Sequence, residues 1–440
     1  MQGKKSIAFL AATVFLGVAA RGFAEGPLDL AAVRGLAAAR SNALASARLG
    51  VDAAESTELE LARELLPSLQ AGASANLSYA MPSGAGGGVS GSLGATQTIL
   101  DGGRHGIQAT IDRLSTADAR QAATASLIAL ESTVDSAYYG VLQSAATLDS
   151  ATKDLAAAKD RLSLAEARAG LGIDSRSTLL SARAEAAKAE TALSQARGGL
   201  FSARAALASL TGIDAAAELK DIDVEATGIL AARLAALDES GITTTLDKLL
   251  AIAHKSNPDL ARAFIAADQA TKRTELAAKA NLPTLSAVAS IPLSWSGSTG
   301  LATGSASIGL QASIAIAPWS VSAAVKTAGI AAERAGLDGD ETRRSLDLSI
   351  AQALYSAISA ADAIGSEGLA LESAESGYEG TLESYKQGAA SAADLSTAAS
   401  SLATARSGLI DARYGFLLDL SKLSALAGGA EPDLLAGLLP

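Results

Sequence analysis

A chain of 440 residues with a net charge of −11, two histidines and no cysteine excludes several classes of protein before any pattern is sought. The acidic balance excludes a nucleic-acid partner, which needs a basic face, and the missing thiols exclude disulfides, thiolate metal sites and a lipid-anchored N-terminal cysteine. Hydrophobic residues make up 49% of the chain, but alanine supplies much of that share beside only nine prolines and six phenylalanines, a composition of long, closely packed helices.

Lys4 and Lys5 precede an apolar run from Ile7 to Ala20 and the small-residue site Gly22-Phe23-Ala24. This is the layout of a secretory signal peptide over residues 1–24, so the mature chain is expected to be exported. Beyond it no run of eighteen apolar residues occurs, and no helical membrane span is expected.

From about Leu28 to Leu65 the pattern is helical, until Pro67 breaks it and the period drops to two. Leu69, Ala71, Ala73, Ala75, Leu77 and Tyr79 then alternate with small polar residues, which predicts a strand with one apolar and one polar face. A glycine-rich link, Gly84 to Gly88, leads to a second alternating run through Val89, Leu93, Ala95 and Ile99. A proline-free segment from Arg104 to about Ala169 follows, roughly 66 residues or about 100 Å of helix. Its distal part is a heptad through Leu127, Val134, Val141, Leu148, Leu155 and Leu162, the repeat of a left-handed coiled coil. Gly170 and Gly172 end it, and a heptad helix returns from about Asp174 to Leu210, antiparallel to the first. The acidic segment 213–245 loses this periodicity and predicts a small belt of mixed structure.

The whole arrangement then recurs about 216 residues later. Leu66-Pro67 returns as Leu282-Pro283, Asn42 as Asn257 and Gly212 as Gly428, while the ladder Leu179, Leu193, Leu200, Leu207 returns as Leu395, Leu402, Leu409, Phe416, Leu423. The chain therefore divides into a first structural repeat at 25–212, an inter-repeat equatorial segment at 213–245, a second repeat at 246–428 and a C-terminal tail at 429–440. The second pair of strands runs through Leu285, Ile291 and Trp295 and then through Ile308, Leu310 and Ile316. A twelve-residue strand is about 40 Å long, enough to cross an outer membrane when tilted. Four strands cannot close a barrel and open edges are not tolerated in lipid, so the chain is expected to oligomerise, a dimer giving eight strands and a trimer twelve.

The duplicated order of helix, Leu-Pro, strand hairpin, Leu100-Asp101-Gly102-Gly103, long helix, glycine turn and returning helix resembles the TolC-type outer-membrane efflux proteins. So does the tip motif Tyr385-Lys386-Gln387-Gly388, with Asp394-Leu395 beyond it. The resemblance covers essentially the whole mature chain. The first tip departs from it with Ala169 where a tyrosine would stand, and the second strand exit reads Ala317-Pro318-Trp319 without the glycine pair. What the resemblance implies is a mainly α fold with a membrane β component. Long coiled-coil hairpins form a periplasmic α-barrel, and four strands per chain contribute to a trimeric 12-stranded outer-membrane β-barrel. It also implies a homotrimeric exit duct for efflux or type I secretion, which conducts passively and works with a periplasmic adaptor (membrane fusion) protein and an inner-membrane transporter.

Catalysis has little to stand on. No Asp/Glu grouping shows metal spacing, Ser150-Ala151-Thr152-Lys153 lies inside the heptad helix, and Gly86 to Gly91 fits a dinucleotide fingerprint but precedes a strand. No enzyme activity, cofactor or metal is expected. Asp394, just past the tip glycine, reads either as one member of a threefold carboxylate ring that attracts cations or as a helix cap. The relatives often place a second acidic residue three positions on, where this chain has Thr397. With Tyr385, Gly388 and Gly172 it makes up the expected periplasmic tip gate. Tyr385 is placed either to hydrogen-bond across to the first-half hairpin or to continue the packing seam of Ile350, Ile364, Leu371 and Tyr378. Tyr79, Trp295 and Trp319 fall at expected strand ends, where amphipathic rings suit a membrane interface. The competing reading is a periplasmic adaptor or structural coiled-coil envelope protein without a pore. An adaptor would show one helical hairpin, whereas this chain has two.

Overall fold

The computed structural model describes residues 27–64, 66–80, 84–296, 302–314 and 318–429. The signal peptide and the tail beyond Gly429 lie outside them. The first half comprises α1 (Leu30–Arg40), α2 (Asn42–Glu64), β1 (Ser68–Ala80), β2 (Gly84–Leu100), α3 (Arg104–Gly170) and α4 (Arg176–Thr211). After α5 (Val224–Ala235) and α6 (Glu239–Ser256) the second half follows with α7 (Pro258–Ala278), β3 (Thr284–Ser296), β4 (Ala302–Gly304), β5 (Ser307–Ser313), α8 (Pro318–Lys386) and α9 (Ala392–Leu426). No helix among the described residues is long and apolar enough to cross a membrane.

Three expectations are corrected here. The helix expected from Leu28 to Leu65 is two helices, because the Ser41 hydroxyl accepts the Leu44 N–H at 3.2 Å and starts α2 afresh. Its counterpart is Asn257, whose side chain accepts the Leu260 N–H at 3.0 Å ahead of Pro258 in the first turn of α7. Ser41, not Asn42, is thus the repeat partner of Asn257. The segment 213–245 is not separate from the helices, since α6 starts at an Asp238 cap and runs through residue 245.

Contacts divide the chain into two units. Among the described residues, one holds 27–40, Val134–Ile229 and Ile364–Tyr414. Within it α3 and α4 run antiparallel, tied by Arg183 to Glu166 at 3.0 Å and Lys159 to Glu190 at 3.3 Å. α9 also runs against α3, with Arg406 on Asp154 at 2.9 Å and Gln143 on Asp411 at 2.8 Å. The seams are the heptad positions: Val134, Val141, Ala158, Ala165, Leu193, Leu395, Leu402 and Leu409 are all buried. Alanine at several of these positions lets neighbouring helix axes approach closely. Leu28 forms a parallel bridge with Leu219, and the Tyr138 hydroxyl donates to the Lys220 carbonyl at 2.5 Å beneath it. Beside this bridge Arg34 grips Asp135 through two bonds, of 2.7 and 2.5 Å, and the carboxylate is only 2% exposed. Removing one partner of a buried ion pair leaves the other desolvated without its counter-charge. Arg34→Met is therefore expected to cost about 3–5 kcal/mol, read as a lowered denaturation midpoint, and Arg34→Met with Asp135→Leu to recover much of that loss.

The other unit holds Ser41–Thr133, Leu230–Ala363 and residues 415–429, and it contains the sheet. β1, β2 and β3 pair antiparallel in that order, and β4 and β5 both pair with the far edge of β3. The expected fourth strand is β5, which ends at Ser313, with Ile316 outside the described residues, and β4 is a further short piece ahead of it. Pro292 of β3 has no N–H to give at the point where the two pieces part, and only its carbonyl is used, by the Ser305 N–H at 3.3 Å.

The register carries the two faces across the whole sheet. Ala71 opposes Leu93, which opposes Ile291; Ala75 opposes Val89, which opposes Trp295; Ala287 opposes Leu310. A bulge between Thr98 and Leu100 shifts the parity, so that Leu100 joins the apolar face opposite Leu285. On the other face, hydroxyls pair between strands: Ser74 with Ser90 at 2.8 Å, Ser290 with Ser307 at 2.9 Å and Ser294 with Thr303 at 2.7 Å. The apolar face is bare, with Leu77 and Ile308 each 89% exposed. A bare apolar face and a hydroxyl-lined one are what lipid on one side and water on the other require. The outer edges of β1 and of β4 and β5 have no strand partner among the described residues.

The glycine pair that ends β2 has a steric role. Gly102 and Gly103 take φ of 69° and 76°, and a Cβ on Gly102 would stand 2.6 Å from the Cβ of Leu282. The strand exit of one repeat therefore packs on the Leu-Pro of the other.

Candidate functional site

Both hairpins of the helical unit turn in the same way. Gly172 (φ 74°) and Gly388 (φ 80°) take the left-handed conformation open to glycine. The Ile173 N–H returns to the Arg168 carbonyl at 2.9 Å, and the Ala389 N–H to the Ser384 carbonyl at 2.8 Å. These are matching Schellman closures at repeat-equivalent positions.

The side chains at the two tips differ, and they interlock. Tyr385 is 3% exposed, and its hydroxyl donates to Asp174 Oδ2 at 2.6 Å. Arg168 Nε donates to the same oxygen at 3.0 Å, while Arg168 Nη1 donates to the Tyr385 carbonyl at 3.0 Å. The guanidinium carbon also lies 4.6 Å from the centre of the tyrosine ring, within the range of cation–π attraction. Burial pushes the Asp174 carboxyl upward, but the bonds from Tyr385 and Arg168 outweigh it and hold the group below the usual carboxylate range. Burial and the Asp174 charge raise the Tyr385 phenol to about 12, so it stays a donor at any physiological pH. Tyr385 is therefore both buried in the seam and hydrogen-bonded across to the first tip, and the two readings of this residue coexist.

One heptad back, the pairing recurs in looser form. Arg161 Nη1 lies 3.5 Å from the Tyr378 hydroxyl, with the guanidinium 6.0 Å from the ring centre. Arg168 and Asp174 were not among the residues the sequence singled out. Their signal lay in comparing the two tips, where the first repeat carries Arg168 and Asp174 and the second has Ser384 and Ala390.

Asp394 sits in a reciprocal cap at the start of α9. Its Oδ2 accepts the Ser391 N–H at 2.9 Å and the Ser391 hydroxyl at 2.7 Å, and the Ser391 Oγ accepts the Asp394 N–H at 3.2 Å. The bonds from the Ser391 hydroxyl and then its amide hold the carboxyl below its ordinary value, so the side chain is an exposed anion at neutral pH.

The three aromatic residues do not form one set. Trp295 lies in β3 opposite Val89 and Ala302 with half its surface exposed. Trp319 stands in the first turn of α8, not on a strand, because Pro318 opens a helix there. The backbone of Tyr79 pairs with Ala85 near the end of β1, and its side chain lies outside the described residues. Among the described residues no group of three or more His, Cys, Asp or Glu is arranged to hold a metal ion.

The family profile of outer membrane efflux proteins matches residues 33–213 and again 249–429. The solved structure of CusC, where conformational changes accompany folding and transmembrane channel formation, aligns over 91% of this chain and 92% of its own with a TM-score of 0.77 at 19% identity. The outer membrane protein VceC of Vibrio cholerae aligns over 91% and 97% with a TM-score of 0.73 at 19% identity. The open state of the MtrE outer membrane channel of Neisseria gonorrhoeae aligns over 92% and 90% with a TM-score of 0.70 at 18% identity. Among curated proteins no sequence matches the chain.

Proposed function

Since the chain belongs to the outer membrane efflux protein family, with a membrane sheet and a large periplasmic helical part, we propose that three copies form the exit duct of a tripartite efflux or type I secretion system. Substrate is handed over by an inner-membrane transporter through a periplasmic adaptor and moves passively down the water-filled path. The observation that carries this reading is the sheet itself: a bare apolar face, a hydroxyl-lined opposite face and two open edges, continuous with α3 through the Gly102-Gly103 turn. Copies of the same sheet satisfy those edges by closing a barrel.

In this reading the interlocked tips gate the duct. Tyr385, Asp174 and Arg168 join the two hairpins of one chain, Gly172 and Gly388 make the turns possible, and Asp394 places one exposed carboxylate per chain at the narrow end. Three such carboxylates attract cations and are blocked by divalent ones. Asp394→Asn is therefore expected to weaken block by divalent cations added from the tip side, while Ser391 keeps a capping hydroxyl for α9. Unchanged block in the variant contradicts the ring and leaves Asp394 as a cap alone. Native mass spectrometry of the detergent-extracted protein tests the assembly, with three copies expected and a stable monomer or dimer contradicting it.

A further inference from the structure

We propose that the pocket where β2, α3 and α7 meet is a binding station for small anionic molecules bearing carboxylate, phosphate or sulfonate groups, on the water side of the duct. It rests on the duct reading only for its place along the path.

The pocket has a volume of about 660 Å³, and its lining includes Thr98, Asp101, Arg104, His105, Arg273 and Ser286. Thr98 and Ser286 are cross-strand partners on the hydroxyl face of the sheet. This sets the pocket on the face away from lipid and separates its arginines from those that reach for headgroups at a membrane surface.

Its charge is unbalanced. Asp101 is the one carboxylate lining it among the described residues, and that group is already committed. Its Oδ1 accepts the Gly103 N–H at 2.8 Å and its Oδ2 accepts the His105 N–H, so the start of α3 matches its charge. Arg104 donates Nε to the Asp101 carbonyl at 3.3 Å, and neither of its Nη atoms has a partner among the described residues. Arg273 has no ion-pair partner among them either. A third cation stands nearby, since the Lys279 Nζ is 3.2 Å from where a Cβ on Gly103 would be. In a chain of net charge −11 this is a local reversal of sign, built from two helices around one concavity. Guanidinium forks suit the paired oxygens of carboxylate, phosphate and sulfonate, and threefold repetition would set six of them around the path.

The test is calorimetric titration of citrate into the detergent-extracted oligomer at low ionic strength. We compare wild type, Arg104→Gln, Arg273→Gln, the double variant, and Lys326→Gln as an exposed control on α8. Citrate is expected to bind wild type and Lys326→Gln alike, with salt-sensitive affinity that falls about tenfold for each arginine removed. The double Lys variant, which keeps charge but loses the fork, is expected to be intermediate. Absence of citrate binding by wild type, or equal binding by the double Gln variant, overturns the proposal. Conductance of the Asp174→Ala oligomer, whose tip is unlocked, separates it from the duct reading: an oligomer that conducts but ignores citrate refutes the station alone, whereas one that binds citrate without conducting refutes the duct alone.

Discussion

Replacing Asp174 with alanine is expected to unlock the helical tip. The carboxylate accepts bonds from both Tyr385 and Arg168 at 2.6 and 3.0 Å, in a site where Tyr385 is almost fully buried. Hydrogen bonds to a charged group contribute about 1.5–3 kcal/mol each. Arg168 and Asp174 both belong to the first tip, so the Tyr385 bond is the one to this carboxylate that crosses between the tips; losing it, about 1.5 kcal/mol at the lower figure, shifts a closed-to-open equilibrium roughly tenfold. Tyr385→Phe removes the same bond but leaves Asp174 holding Arg168 toward the Tyr385 carbonyl, so its effect is expected to be no larger. Cells making the Asp174→Ala protein should admit a bulky water-soluble antibiotic that wild-type cells exclude, with Tyr385→Phe cells admitting no more of it. Equal exclusion by all three at matched protein levels would remove the lock from the account.

The proposed lock has a defined pH window. Asp174 has a native value below the ordinary carboxylate range, so its contribution is fully present above about pH 4 and is lost as pH falls through the lowered native value. Tyr385 is shifted the other way, to about 12; its contribution is complete below about 10 and is lost as pH rises through the native value. Between these limits tip opening should not depend on the titration of either group.

The second large effect is at the far end of α9. Gly428 has φ of 87°, and a Cβ there would stand 2.5 Å from the Ser256 carbonyl oxygen. Around it the Ser256 hydroxyl donates to the Ala427 carbonyl at 2.8 Å and Asn257 Nδ2 to the Leu426 carbonyl at 3.0 Å. A methyl group cannot enter without moving backbone and breaking these bonds. Gly428→Ala is therefore expected to cost roughly 3–5 kcal/mol, combining left-handed strain with lost hydrogen bonds. Gly172→Ala meets nothing within 4 Å and should cost only the strain, about 1–2 kcal/mol. Denaturation midpoints of the two variants check this, and similar losses would mean that φ alone decides both.

The contrast shows what the sequence could reveal. That glycine recurs at 212 and 428 is visible in the letters, but not that Gly428 abuts a backbone carbonyl while Gly212 abuts Arg40. Heptads and strand alternation were legible because each is a local period set by backbone geometry. The break at Ser41 was not, since a single serine cap interrupts a helix without altering its apolar pattern. The split of β4 from β5 depends on Pro292 of the neighbouring strand, a pairing that no local window contains. At the tip, Gly172, Gly388 and Tyr385 stood out as motif residues, whereas Arg168 and Asp174 did not, because their meaning lies in a tyrosine more than two hundred positions away. In the letters Asp394 reads as a candidate cap in its own right, whereas the capping residue is Ser391 and Asp394, three positions on, closes the pair.

The most direct test of the duct is single-channel recording of the purified oligomer in planar bilayers, wild type beside Asp174→Ala. The account predicts small, long-lived conductance steps for wild type and larger ones for Asp174→Ala. No conductance from either protein, each folded and extracted from the outer membrane as an oligomer, would contradict it, because a sealed tip could then no longer explain the silence.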